Sequence, residues 1–198
     1  MQRAEPMSEP SKPAVRAALR AARDGFVLDL MPGDRACLER RAAGYLASLI
    51  DGAACVAFYH AVGSELDCGP AIAAAAKRGI RIALPHVERR DSPMRFLAWS
   101  PGERLESGWQ GLVQPCADAA EIIPDIIVAP LLGFDSALAR LGQGGGFYDR
   151  AFAMLPAAKK IGLGWSIQQH AAIACDPWDM PLDAVVTEAG VLEGTKAQ

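Results

Sequence analysis

Asp125-Ile126-Ile127-Val128-Ala129-Pro130-Leu131-Leu132 is apolar after its first residue and carries three consecutive β-branched side chains. A run of this kind reads as a strand buried on both faces. Further along stands Arg140-Leu141-Gly142-Gln143-Gly144-Gly145-Gly146-Phe147-Tyr148-Asp149-Arg150, in which four glycines occupy five positions. Residues 148–155 then have helical character. The unit is strand, glycine loop, helix, and such a loop can aim several backbone N–H groups at an anion in front of a helix N-terminus. A phosphate cradle is the expectation. The alternative is a plain turn whose glycines serve only to reach φ > 0.

Two common glycine-loop patterns do not fit. Counting from Gly142 and Gly144, a dinucleotide fingerprint would need a third glycine where Phe147 stands, and no lysine follows the glycines as a P-loop requires. The flanking Arg140, Arg150 and Asp149 nevertheless suit a nucleoside triphosphate, which needs cations and a carboxylate for its metal ion.

Working outward, Ser11 is placed to cap a helix with Pro13 at its second position. Lys12, Arg16, Arg20 and Arg23 follow at helical spacing and share a face. A cationic face is ordinarily solvated surface. With no acidic partner before Asp24, this one also suits a lid over phosphates. A second helix is expected over residues 34–50 and another over 70–78. Strands are expected over 55–60, 80–85, 94–99, 161–165 and 184–187, and residues 100–124, rich in turn formers, read as a partly ordered excursion. Strands alternating with helices predict a three-layer α/β/α fold with a largely parallel sheet. In open sheets of that class ligands bind outside the carboxyl ends of the strands, where the two acids of Gly63-Ser64-Glu65-Leu66-Asp67 would lie.

At 198 residues the chain fits a single α/β domain over 11–198, behind a mobile tail at 1–10 that holds two prolines. Hydrophobic residues make up 51% and charged residues 22%, the balance of a soluble globular protein. A net charge of −3 argues against a nucleic-acid surface. No stretch reaches the ~18 apolar residues of a membrane span, and no signal peptide is visible. The five cysteines are odd in number, widely spaced and never in a Cys-x-x-Cys, as expected of reduced thiols in the cytoplasm. His60, His86 and His170 have no motif around them, and neither they nor the cysteines have zinc-ligand spacing. Glycines, cations and carboxylates remain, the parts of phosphoryl transfer.

Arg140-Leu141-Gly142-x-Gly144-x-Gly146-x-Tyr148-Asp149-Arg150, after Pro130-Leu131-Leu132-x-Phe134-Asp135, resembles the signature of the 5-formyltetrahydrofolate cyclo-ligases, also called 5,10-methenyltetrahydrofolate synthetases. Three weaker features agree in order: Lys12-x-x-x-Arg16, Ser64-Glu65-Leu66-Asp67, and Leu182-Asp183-Ala184-Val185-Val186-Thr187-Glu188. The resemblance implies a fold shared with sugar-phosphate isomerases and CoA transferases. It also implies an ATP- and Mg²⁺-dependent, monomeric, cytoplasmic enzyme acting on 5-formyltetrahydrofolate, with or without a polyglutamate tail, and having no nucleic-acid or membrane partner. Lys12, Arg16, Arg140, Leu141, Gly142, Gln143, Gly144, Gly145 and Gly146 would then bind ATP. Arg140 and Tyr148 would be catalytic; Glu65, Trp109, Phe147 and Tyr148 would bind the folate; Asp149 and Asp183 would hold the metal. Asp183 stands beside Asp179 and Asp176, either of which could take its place.

The sequence departs from the family pattern at several points. Leu138 stands where a glycine is common, Cys68 where a threonine is usual, Phe147 where a second tyrosine is common, and Gln114 where bacterial relatives often have glutamate. Leu138 and Cys68 keep a rival open, a paralogue that binds folate or nucleotide with weak or no turnover. A sugar-phosphate isomerase or CoA transferase is the third reading, although no acid here follows those catalytic motifs. The structural alternatives are plain: Phe147 and Tyr148 as core contacts, Asp149 as an acid favoured at a helix N-terminus, Arg150 as half of a surface ion pair.

Overall fold

The computed structural model describes residues 11–194; the expected tail at 1–10 lies outside them. Helices α1 (Lys12–Asp29) and α2 (Pro32–Leu49) precede strand β1 (Cys55–Ala57), helix α3 (Gly69–Lys77) and strands β2 (Arg81–His86) and β3 (Arg95–Ala98). A hairpin of β4 (Leu105–Ser107) and β5 (Val113–Pro115) follows, then β6 (Ile126–Pro130). A short pair, β7 (Gly133–Phe134) and β8 (Arg140–Leu141), leads into α4 (Phe147–Met154), β9 (Lys159–Leu163), β10 (Ala184–Thr187) and β11 (Gly190–Glu193).

The apolar run that opened the reading is the middle strand of a seven-stranded sheet ordered β11-β10-β9-β6-β1-β2-β3. The five inner strands are parallel, and β3 and β11 close the edges antiparallel. Val128 and Ala129 have no exposed surface, as burial on both faces demands. Alternation sorts the side chains. Val56, Ile126, Val128 and Ile161 meet α2 and α3 on one face, while Ala57, Ile127, Ala129 and Val185 meet α4 on the other. The expected three layers are therefore present. Among the described residues no helix is long and apolar enough to cross a membrane.

Strand β1 is shorter than the expected 55–60, because the chain leaves the sheet after the Phe58 N–H donates to the Ala83 carbonyl. The excursion at 100–124 is more ordered than expected. Its β4–β5 hairpin carries Trp109 on a 3-10 turn, with Gln110 at φ 52°.

The chain runs from β1 towards β2 and β3 in one direction, and from β6 towards β9 and β10 in the other. Neighbouring β1 and β6 thus form the topological switch point, and the crevice outside their carboxyl ends is where a ligand is expected.

Candidate active site

A cavity of about 470 Å³ lies at that switch point. Tyr59 and His60 reach it from the end of β1, Pro85 and Val87 from the end of β2, and Pro130 from the end of β6. The glycine loop forms one wall and the turn carrying Trp109 another.

The loop's shape follows from its residues. Gly144 has φ 98° and Gly146 φ 65°, left-handed conformations that a Cβ disfavours. Gly146 is the N-cap of α4, and the first turn of that helix, whose N–H groups lack intrahelical partners, lines the cavity through Phe147, Tyr148 and Asp149. At Gly142 a Cβ would lie 2.7 Å from the Arg140 guanidinium.

Arg140, on β8, is nearly enclosed and directs one Nη to both carboxylate oxygens of Asp149, at 3.0 and 2.9 Å. Its Nε is buried without a partner, and its guanidinium lies 5.6 Å from the Tyr148 ring centre. Burial pushes the Tyr148 phenol well above its ordinary range, so it stays protonated and can donate a hydrogen bond.

The cations of the α1 stripe are all engaged by partners, although Arg20 is exposed. Lys12 Nζ donates to Asp176 at 2.5 Å and to Asp179 at 2.8 Å. Arg16 Nε donates to the Gly142 carbonyl at 3.0 Å, and Arg20 to Gln143 Oε1 at 2.6 Å. Arg23 Nε donates to Ser64 Oγ at 2.8 Å, and its guanidinium stands 3.8 Å from Glu65. Burial raises the Glu65 carboxyl above its usual value, against the Val62 N–H bond, Arg23 and Gln143, which favour the ionised form. Gln143 Nε2 lies 3.4 Å from Glu65 Oε1, so one glycine-loop side chain touches both the cationic helix and this buried carboxylate. On the other side Trp109 packs edge-on against Phe147 with ring centres 5.5 Å apart.

All of the residues that the resemblance assigned to ATP, folate, catalysis or the metal line this cavity except Asp183. Asp183 immediately precedes β10, a parallel strand, and so sits at the amino end of the sheet, opposite the cavity. Its Oδ2 accepts the Lys160 N–H at 2.7 Å, clipping β10 to β9. Asp125 does the same ahead of β6, accepting the N–H groups of Ala54 and Cys55 at 2.8 Å each. The assignment of Asp183 to the metal is therefore corrected, and Asp176 and Asp179 are the acids of that segment which reach the cavity. Among the described residues no group of three or more metal-ligating side chains is preassembled. Cys68, in the position usual for threonine, donates from Sγ to the Tyr59 carbonyl, as a hydroxyl would.

The model of the 5-formyltetrahydrofolate cyclo-ligase family matches residues 8–188. The chain belongs to that family. The Escherichia coli (strain K12) 5-formyltetrahydrofolate cyclo-ligase is 32% identical over 145 residues, which cover 70% of this chain and 80% of that one. The namesake from Mycolicibacterium smegmatis is 30% identical over 191 residues, 91% and 95% of the two chains. The solved 5,10-methenyltetrahydrofolate synthetase of Aquifex aeolicus superposes with a TM-score of 0.76 at 26% identity, covering 93% of this chain and 96% of its own. A Mycoplasma pneumoniae synthetase structure, at 21% identity and a TM-score of 0.72, shares the fold. As a cyclo-ligase family member the chain is an enzyme of the ligase class in folate one-carbon chemistry. In this cyclo-ligase the residues missed from the sequence are Tyr59 and Trp178, brought to the cavity by tertiary contact, whereas Arg20 was legible in the cationic stripe and Asp176 and Asp179 as alternatives to Asp183.

Proposed function

We propose that the protein converts 5-formyltetrahydrofolate to 5,10-methenyltetrahydrofolate at the expense of ATP, as a cytoplasmic monomer. The observation that carries this reading is the convergence of two unlike sets of groups on one cavity. Lys12, Arg16 and Arg140 gather around the glycine loop, while Glu65 and the Trp109–Phe147 pair offer a carboxylate and an aromatic wall a short distance away.

Phosphoryl transfer asks the protein chiefly to align two oxygens about the γ-phosphorus and to neutralise the equatorial oxygens. The glycines let backbone N–H groups come close to the phosphates, and Arg16 and Arg140 supply fixed positive charge. Glu65 accepts hydrogen bonds from the folate ring N–H groups and turns the formyl oxygen towards the γ-phosphate. That oxygen attacks phosphorus, the bond to the β-phosphate oxygen breaks, and ADP departs. Tyr148, held protonated, donates to a developing oxyanion. N10 then adds to the activated formyl carbon, the carbon–oxygen bond breaks to release phosphate, and the departing phosphate takes the N10 proton. The donor set fits Mg²⁺, which needs only one or two protein carboxylates beside the phosphates. Asp149 and Asp179 would hold it, and it would screen the phosphate charge.

The test is direct. The purified protein is incubated with 5-formyltetrahydrofolate, ATP and Mg²⁺, and methenyltetrahydrofolate is followed by its near-ultraviolet absorbance. Product formation that depends on all three supports the reading. Absence of product with calorimetric binding of ATP or folate intact would instead favour a binding paralogue, the rival suggested by Leu138 and Cys68.

A further inference from the structure

Trp178 is 70% exposed, yet it lines the cavity. Of the four tryptophans, all within the described residues, it alone has neither a ring partner nor a hydrogen bond from its indole N–H. Trp165 packs on Phe26 and donates to the Ser64 carbonyl, Trp109 packs on Phe147, and Trp99 donates to the Glu103 carbonyl. A single exposed apolar side chain is ordinary. This one is distinguished by how firmly its backbone is placed. The Asp176 N–H donates to Asp179 Oδ2 at 2.8 Å and the Asp179 N–H to the Asp176 carbonyl at 3.0 Å, closing a turn around Pro177 and Trp178. Lys12 then ties both carboxylates to α1. The turn thus holds a bare indole face at the rim, beside the cation that begins the phosphate-binding stripe.

The cavity already has an aromatic wall at Trp109 and Phe147, beyond the last glycine of the loop. Trp178 lines the same cavity together with Lys12, Arg16 and the four glycines. A triphosphate bound along the loop would present its base there.

We propose that Trp178 is the base-stacking platform for the nucleotide, binding the purine of ATP face-on at the cavity rim while Lys12 and Arg16 hold the phosphates. Base–aromatic stacking is sequence-tolerant and adds measurably to the affinity of an otherwise electrostatic site. The inference rests on the proposed use of ATP, and its experiment separates the two. Mg²⁺ with ATP, and Mg²⁺ with inorganic tripolyphosphate, are titrated by calorimetry into wild type, Trp178→Ala and Trp178→Phe, with thermal melts as the folding control.

Trp178→Ala is expected to bind ATP on the order of tenfold more weakly, tripolyphosphate within twofold of wild type, and to melt unchanged. Trp178→Phe is expected to keep most of the ATP affinity. ATP affinity in Trp178→Ala within twofold of wild type would overturn the stacking role and leave the cyclo-ligase reading standing. Equal losses for ATP and tripolyphosphate would overturn it too, since the residue would then act on the phosphate end. A wild-type protein that binds neither ATP nor tripolyphosphate would refute the reading beneath it.

Discussion

Leu138 has φ 64°, a left-handed backbone that glycine adopts without strain. Placing a side chain there costs about 1–2 kcal/mol. Two arrangements hold it in place. Its N–H donates to the Asp135 carbonyl at 3.0 Å and its own carbonyl accepts the Leu182 N–H at 3.0 Å. Asp135 also binds the flanking Ala137 and Ala139 N–H groups through Oδ1, at 2.9 and 3.0 Å. The side chain, 4% exposed, belongs to the apolar cluster between the sheet and α4. Truncating a buried leucine costs about 2–5 kcal/mol. Leu138→Ala should lose that amount and keep the backbone strain. Leu138→Gly should lose that packing and the Cβ contacts besides, but recover the strain, less about 0.5–1 kcal/mol for the added freedom of glycine in the unfolded chain. The expected order in urea denaturation is therefore wild type, then Leu138→Gly, then Leu138→Ala, with the two variants separated by less than about 1 kcal/mol. Leu138→Ala as stable as Leu138→Gly would refute the strain argument. A Leu138→Gly protein more stable than wild type would refute the packing argument.

Other outcomes follow from the same geometry. Gly144→Ala, at φ 98° and with its new Cβ 3.5 Å from the Arg16 guanidinium, should lose about 1–2 kcal/mol of stability and weaken ATP binding, read by calorimetry. Asp149→Asn should cut turnover far more than it lowers the melting temperature, since the amide oxygen can still accept from Arg140 but no longer carries the charge; equal losses would return Asp149 to a structural role. Burial alone would raise the Asp179 carboxyl, but the Asp176 N–H and Lys12 outweigh it and hold the pKa below its usual value. Its stabilising contribution is thus present above the ordinary aspartate pKa and lost as pH falls through the depressed one, so the stability gap between wild type and Asp179→Asn should close in acid. Lys12 is shifted the other way: burial alone would lower it, yet its two carboxylate partners raise it, so its contribution persists to about pH 10.5 and is lost above. Because burial raises the Glu65 carboxyl, the acid limb of kcat/KM for the folate should lie above the ordinary glutamate value of about 4.3, and Glu65→Gln should remove that limb.

The middle of the fold was readable because its physics is local. Three β-branched residues in an apolar run dictate a buried strand, and glycines at 144 and 146 are what a left-handed loop requires. Helix bounds came within two residues for α2, which begins at Pro32 rather than 34 because proline is tolerated in the first turn. Asp183 shows where the reading stopped short. Asp176, Asp179 and Asp183 fall within eight residues, yet the turn at 176–179 leaves the first two at the cavity while the third precedes a parallel strand. Strand direction by itself excludes Asp183 from a site at the carboxyl ends, so the information was present in the expected parallel sheet. The exposure of Trp178 and the reach of Arg20 to Gln143 were not legible, because both depend on which segments the fold brings together across more than a hundred positions.

The cationic helix decides how these parts act together. Along α1 only Leu19 and Arg23 are buried, and Leu19 joins a small cluster with Ala139, Leu141 and Ile173. Its polar ties reach three segments: Lys12 the turn of Asp176 and Asp179, Arg16 and Arg20 the glycine loop, Arg23 the loop of Ser64 and Glu65. Such contacts are weak singly and exchange readily for a ligand's charge, since a phosphate oxygen competes directly with a carbonyl or carboxylate for the same guanidinium or ammonium. A triphosphate would therefore take over cations that now bridge segments, rather than recruit new ones. The helix whose cations bridge these segments is the helix that would neutralise a bound triphosphate, and of a stripe that looks like surface in the sequence Lys12 and Arg16 line the wall of the site.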